Sequence, residues 1–322
     1  LRMREEGFLP DKVTFICILK ASSSSIKYLR IGQNLHVEIS RQGLLEKDVV
    51  LGTTLMNMYA RFGFLEKAQE VFELLPFHDV ASWSALIAGY AQQGQSDEAL
   101  NCFEKMQSEG HTPDDITIIC VLKACGSTGA IAKGKEIHDE LKSRGLLEKH
   151  PMIGNALIDM YAKCGVIIKA REVLKELCVR DLTCWNALIA GYAQQGQGHE
   201  ALTCFEQMQS EGLYPDDITF LCVLSACTHS GLLDEAQMIF ASMTRRFGVT
   251  PNVKHHTCMV ISFGQAGCFD KATAVIKSVS YLNNPSLWLA LLGACENWGY
   301  IKLGRLSFDH VIQVGNDFAS AY

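Results

Sequence analysis

One sentence of this chain is written twice. "WSALIAGYAQQGQSDEALNCFEKMQSEGHTPDD" begins at Trp83 and "WNALIAGYAQQGQGHEALTCFEQMQSEGLYPDD" at Trp185, 102 residues later, and the flanking "CVLKAC" and "CVLSAC" end at Cys125 and Cys227 with the same spacing. A chain with such a period escapes the limit on core size that would otherwise divide 322 residues into about two globular domains. Within the repeated text, Trp83, Leu86, Ile87, Tyr90 and Ala91 fall at i, i+3, i+4, i+7 and i+8, one stripe of an α-helix, and Gly94 supplies its stop. A second helix is predicted from an N-cap at Ser96, with Asp97 and Glu98 in the first turn where carboxylates suit the helix dipole, ending before Gly110 and Pro113. Small Ala85, Ala88 and Gly89 leave room for close helix contact. Such a hairpin of about 35 residues cannot bury its apolar faces alone, so neighbours must stack into a solenoid.

Two further hairpin types share the period. "GTTLMNMYARFGFLEKAQEVF" from Gly52 returns as "GNALIDMYAKCGVIIKAREVL" from Gly154. "VTFICILKA" from Val13, "ITIICVLKA" from Ile116 and "ITFLCVLSA" from Ile218 form a third type; the first gap is one residue longer than the second, which places an extra residue between Ser22 and Ile31. Met3–Pro10 matches Met106–Pro113, so the chain is expected to start inside a repeat.

Composition removes several function classes. Thirteen cysteines in a long chain that is 48% hydrophobic point to reduced thiols rather than a secreted disulfide scaffold. No Cys-x-x-Cys pair occurs; Cys120/Cys125 and Cys222/Cys227 are five apart and read as small core residues. A formal net charge of −6 argues against indiscriminate attraction to nucleic acid, so any RNA binding must come from a local groove. No apolar run is long enough to cross a bilayer, and no membrane partner is expected.

The unit lengths of 31, 35 and 36 residues, together with "NALIDMYAKCG", "WNALIAGYAQQG" and "CVLKAC", closely resemble the PLS subclass of plant pentatricopeptide repeat (PPR) proteins. The tail "LWLALLGACENWGYIKLGRLSFDHVIQ" is similar to the extension motif that follows the last repeat in that family. The resemblance implies an all-α, right-handed α-solenoid of stacked helix-turn-helix repeats. It divides the chain into the tail of a truncated motif (1–11), then long (12–48), short (49–79), P-type (80–114), long (115–150), short (151–181), P-type (182–216), long (217–252) and divergent short (253–284) motifs, and a partial extension motif (285–322).

In that family the fifth residue and the last residue of a motif read one RNA base, and the second residue helps sandwich it. Carried onto this chain, the reading pairs are Thr53 with Asp79, Ser84 with Asp114, Asn155 with Asp181, Asn186 with Asp216, and Thr257 with Asn284; the sandwich residues are Val50, Ala81, Met152 and Thr183. Hydroxyl and amide side chains offer short donors and acceptors, and an aspartate orients them. Family rules pair hydroxyl-plus-Asp with guanine, Asn-plus-Asp with uracil and Thr-plus-Asn with adenine, giving G, G, an unread base, U, U from Thr53 to Asn186. The long motifs carry Ile16, Ile119 and Leu221 at the fifth position, which cannot hydrogen-bond a base edge, so they are expected to space the array.

The resemblance implies a sequence-specific binder of single-stranded organellar RNA in the mitochondrion or chloroplast. It would act as a specificity factor for RNA processing, above all C-to-U editing, with editing cofactors or a deaminase domain supplied in trans. No catalytic residue, metal or cofactor is expected here. Blander readings stand beside these. The triplets His36-Val37-Glu38 and His138-Asp139-Glu140 lack the downstream Cys-x-x-Cys of a zinc deaminase and read as second-helix sequence. His255 and His256 could meet a metal with Cys258, but adjacent helical side chains diverge, which favours packing or solvent. Trp83, Trp185 and Trp288 continue apolar stripes and read as core. The reading aspartates could equally be helix caps. The alternative function is a protein-interaction solenoid without RNA readout, against which the unequal unit lengths argue.

Overall fold

The computed structural model describes residues 10–147, 150–279 and 284–320, with side chains to residue 313. The described residues hold eighteen α-helices and no strand. Two compact units, Leu1–Cys164 and Gly165–Tyr322, divide them. The first contains α1 (Lys12–Ser22), α2 (Leu29–Arg41), α3 (Val49–Arg61), α4 (Leu65–Glu73), α5 (Val80–Gln92), α6 (Ser96–Ser108), α7 (Asp115–Thr128), α8 (Ile131–Ser143) and α9 (Pro151–Lys163). The second contains α10 (Ile167–Glu176), α11 (Leu182–Gln194), α12 (Gly198–Ser210), α13 (Asp217–His229), α14 (Leu233–Phe247), α15 (Val253–Gln265), α16 (Phe269–Ser278), α17 (Pro285–Trp298) and α18 (Ile301–Ser320).

The two helices of a hairpin start by different means. First helices begin at a side-chain cap: Asp11, Asp48, Asp79, Asp114, Asp181, Asp216, Asn252 and Asn284 each accept a backbone N–H from the first turn, satisfying a donor that the helix itself leaves open. The exception is α9, where Pro151 occupies the first turn and has no N–H to satisfy. Second helices other than α2 follow a glycine turn. Gly94 has φ +76°, which a side chain would resist, and delivers Gln95, whose N–H bonds the Tyr90 carbonyl. The expectation of an N-cap at Ser96 is therefore corrected: Gln95 holds that position with no side-chain cap bond, and Ser96 is a buried first-turn residue. The αL turn positions the second helix without a capping side chain.

Within each unit the first helices pack on one another in succession, α1 on α3, α3 on α5, α5 on α7 and α7 on α9, then separately α11 on α13, α13 on α15 and α15 on α17. Second helices lie against this layer, and the apolar stripes face the seam. In the hairpin of α5 and α6, Trp83, Leu86, Ile87, Ala99, Phe103 and Met106 are all buried. Burying each large side chain contributes about 1.5–3 kcal/mol. Trp83 is 2% exposed, packs edge-on against Phe72 with centroids 4.6 Å apart, and donates its indole N–H to Glu109 at 3.2 Å. Trp185 and Trp288 are buried too, so the core reading of all three holds. Glycines let the first helices approach closely: a Cβ at Gly89 would sit 2.7 Å from the Ala60 Cβ, and one at Gly264 2.4 Å from the Ala294 Cβ.

The extra residue expected between Ser22 and Ile31 takes a visible form. In the equivalent hairpin α7 and α8 are joined by Gly129 and Ala130 alone, whereas α1 and α2 are joined through a 3-10 turn at Ile26–Tyr28. Of the expected leading motif tail, 1–11, only residues 10 and 11 fall among those described.

Candidate nucleic-acid interface

The reading positions lie at the N-terminal ends of the first helices. The last residue of one unit is the residue before the next first helix, so, except at His150, a side chain that ends a unit also caps its neighbour. The fifth residue sits one turn into its own helix. Packing of first helices side by side then brings the fifth residue of one unit toward the cap of the next.

Two pairs meet by this route. Ser84 Oγ lies 3.2 Å from Asp114 Oδ1, and Asn186 Nδ2 lies 3.5 Å from Asp216 Oδ1. Asp114 Oδ1 also accepts the Thr117 N–H at 2.8 Å, and Asp216 Oδ1 the Thr219 N–H at 2.7 Å. Capping and contact with the fifth residue are thus done by the same oxygen, and the two readings of these aspartates are compatible. All hydrogen bonds to the two carboxylates fall on Oδ1, so Oδ2 is left as an acceptor. Asn186 is 7% exposed, and its amide oxygen has no hydrogen-bond partner.

The other pairs are arranged differently. Thr53 is half-buried and its hydroxyl has no partner, while Asp79 forms a capping box with Ser82, accepting the Ser82 N–H at 2.8 Å. Asn155 belongs to the first compact unit and Asp181 to the second; Asn155 is half-buried, and Asp181 is exposed and caps α11 through Cys184 N at 3.0 Å. Thr257 donates its hydroxyl to the Val253 carbonyl at 2.9 Å, and Asn284 caps α17 by accepting the Ser286 N–H at 3.0 Å; no bond joins them.

One turn before each fifth residue, on the same helical face, lie the sandwich positions. Val50 is 56% exposed, Met152 70%, and Ala81 and Thr183 are exposed as well. The structure adds three residues that sequence reasoning passed over. Val13, Ile116 and Ile218, second residues of the long units, are 62%, 61% and 55% exposed, whereas Ile16, Ile119 and Leu221 behind them are half-buried. Apolar side chains held out of a core in register with the others suit the faces of bases. Their repetition in "VTF", "ITI" and "ITF" was the available signal. Two long units also tie their last residue to their own first residue: Asp48 is ion-paired with Lys12, and His150 Nδ1 lies 2.5 Å from Asp115 Oδ2.

The alternative chemistry finds structural roles. His36 and His138 place Nδ1 2.9 and 3.0 Å from the hydroxyls of Tyr59 and Tyr161, packing α2 on α3 and α8 on α9, and burial lowers the pKa of His36. His255 is fully buried: Nδ1 accepts the Asn252 N–H at 3.1 Å, so Nε2 carries the proton and donates it to the Asp217 carbonyl at 2.8 Å. Among the described residues no three His, Cys, Asp or Glu side chains are grouped to hold a metal. Cys125 and Cys227 are fully buried, and burial pushes their thiols up to about 11 and about 12. Cys120 and Cys222 are half-buried, their thiols also raised by burial. All four are protonated packing groups.

Stacked helical hairpins with exposed polar and apolar residues in register at their first-helix N-termini define an α-solenoid repeat protein. The PPR repeat family profile matches residues 78–127 and 180–229, and the PPR repeat profile matches 53–78, 155–182 and 218–246; the chain belongs to the pentatricopeptide repeat family. The chloroplastic pentatricopeptide repeat-containing protein CRR2 of Arabidopsis thaliana is 37% identical over 309 residues, 94% of this chain and 47% of that protein. A putative mitochondrial pentatricopeptide repeat-containing protein of the same plant is 34% identical over 315 residues, 98% of this chain and 52% of the relative. The chain thus spans about half the length of the curated relatives it matches. The crystal structure of the pentatricopeptide repeat protein PPR10 in complex with an 18-nt psaJ RNA element shares the fold with a TM-score of 0.79 at 19% identity, covering 97% of this chain and 47% of that one.

Proposed function

We propose that this chain binds single-stranded RNA sequence-specifically, one base at each first-helix N-terminus that carries a polar reading pair. The observation that carries the reading is the Asn186 amide. Its Nδ2 faces the Asp216 carboxylate, which fixes the amide orientation and leaves Oδ1 buried and unpartnered. A buried carbonyl in that state calls for an N–H donor. The ring N3–H of uracil supplies one, whereas the ring nitrogen at the same edge of cytosine is an acceptor and is repelled. The uracil assignment of Asn-plus-Asp therefore has a physical basis in this pair. Ser84 with Asp114 is the corresponding hydroxyl pair, assigned to guanine, and the long unit after it, with Ile119 at the fifth position and His150 held by Asp115, passes a base unread.

The unequal unit lengths and the tail after Asn284 support the PLS subclass with an extension motif, and with it a role as specificity factor in organellar C-to-U editing. Editing cofactors or a deaminase domain would then act in trans or in a further part of the protein. Relatives named chloroplastic and mitochondrial support an organellar location. Selection of the purified chain against a random pool of single-stranded RNA tests the reading. Enrichment of a G-G-N-U-U core that persists as salt rises is the expected result. A folded, helical chain that enriches no sequence sinks it and points to a protein partner.

A further inference from the structure

Thr117 is the third residue of α7, fully buried, and it takes part in the reading cluster without facing solvent. Its Oγ1 lies 2.5 Å from Ser84 Oγ and 2.7 Å from Asp114 Oδ1. The Thr117 backbone N–H already caps the helix on that same oxygen at 2.8 Å, so the hydroxyl adds nothing the cap requires. Ser84 Oγ has a competing acceptor in the Val80 carbonyl at 2.6 Å. Two hydroxyl protons are therefore shared among Val80 O, Asp114 Oδ1 and the two hydroxyl oxygens. Deleting the Thr117 hydroxyl removes one donor and one acceptor, and frees both the Ser84 rotamer and the Asp114 carboxylate to turn.

A threonine hydroxyl on the preceding aspartate recurs at the start of each long unit, and Thr219 Oγ1 also accepts the Asp216 backbone N–H at 3.3 Å in a capping box. Thr219 Oγ1 donates to Asp216 Oδ1 at 2.7 Å, and Thr14 Oγ1 to Asp11 Oδ1 at 2.5 Å. At the exposed Asp11 the Thr14 hydroxyl is the largest cause holding the carboxyl below its ordinary range. Where another unit type follows, the third position varies, and after Asp181 the Cys184 thiol takes the threonine's place, donating to Asp181 Oδ1 at 3.2 Å. Ser82 turns its hydroxyl to the Asp79 backbone carbonyl at 2.8 Å, and after Asp48 the position is Leu51.

We infer that Thr117 and Thr219 are positioning residues for base readout in the units that precede them, each buried hydroxyl holding the partner aspartate with Oδ1 toward the protein and Oδ2 toward the nucleotide. At the first junction Thr117 also fixes the Ser84 hydroxyl. The inference rests on the RNA reading proposed above. It assigns part of a unit's specificity to the third residue of the next unit, a side chain that touches no RNA.

The test compares RNA pools selected by the full chain, by Thr117→Val and by Thr219→Val, with Thr117→Ser as the conservative variant. Valine keeps the volume and the capping N–H and removes only the hydroxyl. Thr117→Val should lower the guanine-over-adenine ratio at the Ser84 position by roughly 2- to 12-fold, the worth of one buried hydrogen bond, and leave the other positions unchanged. Thr219→Val should lower the uracil-over-cytosine ratio at the Asn186 position alone, and Thr117→Ser should restore the wild-type profile. Because the two junctions lie in different compact units, misfolding of one variant leaves the other decisive. A wild-type motif that both valine variants reproduce overturns this inference alone, as does a loss spread evenly over all positions with a lowered melting temperature. A wild-type chain that selects nothing overturns the RNA reading and this inference with it.

Discussion

At the scale of single residues, the chemistry of the interface turns on which polar atoms are already committed. Ser84 is bonded to its surroundings on several sides, while Asn186 keeps one buried acceptor open and Thr53 a buried hydroxyl. A residue type at the fifth position therefore does not by itself state what a base meets there. Asn186→Thr replaces the open carbonyl with a hydroxyl beside Asp216 and should move the last selected base from U toward G, read by sequencing the retained RNA; a profile still fixed on U would show that Asn186 is not the selector. The sequence placed all ten reading candidates, but it could not show that the Thr257 hydroxyl goes to Val253, one helical turn back, because that depends on a side-chain rotamer. Nor could it show that Val13, Ile116 and Ile218 stand exposed, since an apolar residue in an apolar stretch reads as core until the packing is known.

At the scale of the helix, Asp114 caps α7 and meets Ser84 with one oxygen, and mutagenesis can separate the cap from the proposed base readout. Asparagine caps a helix about as well as aspartate, whereas alanine removes the cap at a cost of about 0.5–2 kcal/mol. Asp114→Asn should therefore melt within a few tenths of a kcal/mol of the parent while losing selectivity at the Ser84 position. Asp114→Ala should lose both, and thermal melts run beside the RNA selection distinguish the two outcomes. If Asp114→Asn keeps full base selectivity, the carboxylate is a cap and nothing more. Helix existence was legible throughout, because stripes at 3.6-residue spacing with Gly stops are strong local signals. The second-helix starts were read less well: Ser96 looked like a cap, yet the αL glycine before it had already set the entry of the chain.

At the scale of the whole molecule, an acidic chain that reads bases should show a shallow dependence on salt. With a net charge of −6, a slope of log K against log salt of magnitude below about 3 is expected for the selected RNA, since each neutralised phosphate on a single strand adds about 0.7. Binding titrations at several salt concentrations measure it, and a markedly steeper slope would assign the affinity to phosphate contacts instead. By itself the sequence determined that this chain is an array of helical hairpins of three kinds, because the 102-residue period repeats each kind and the apolar stripes and glycine stops mark its helices and where the hairpins close. Only the tertiary structure decided that Ser84 meets Asp114 and Thr117, 30 and 33 residues on, that the Asn186 carbonyl stays open, and that Thr53 and Asp79 find other arrangements. Periodicity encodes which way a side chain points. Whether two of them touch across neighbouring hairpins depends on displacements of an ångström or so in how the first helices pack, set by contacts as close as that of Gly89 with Ala60.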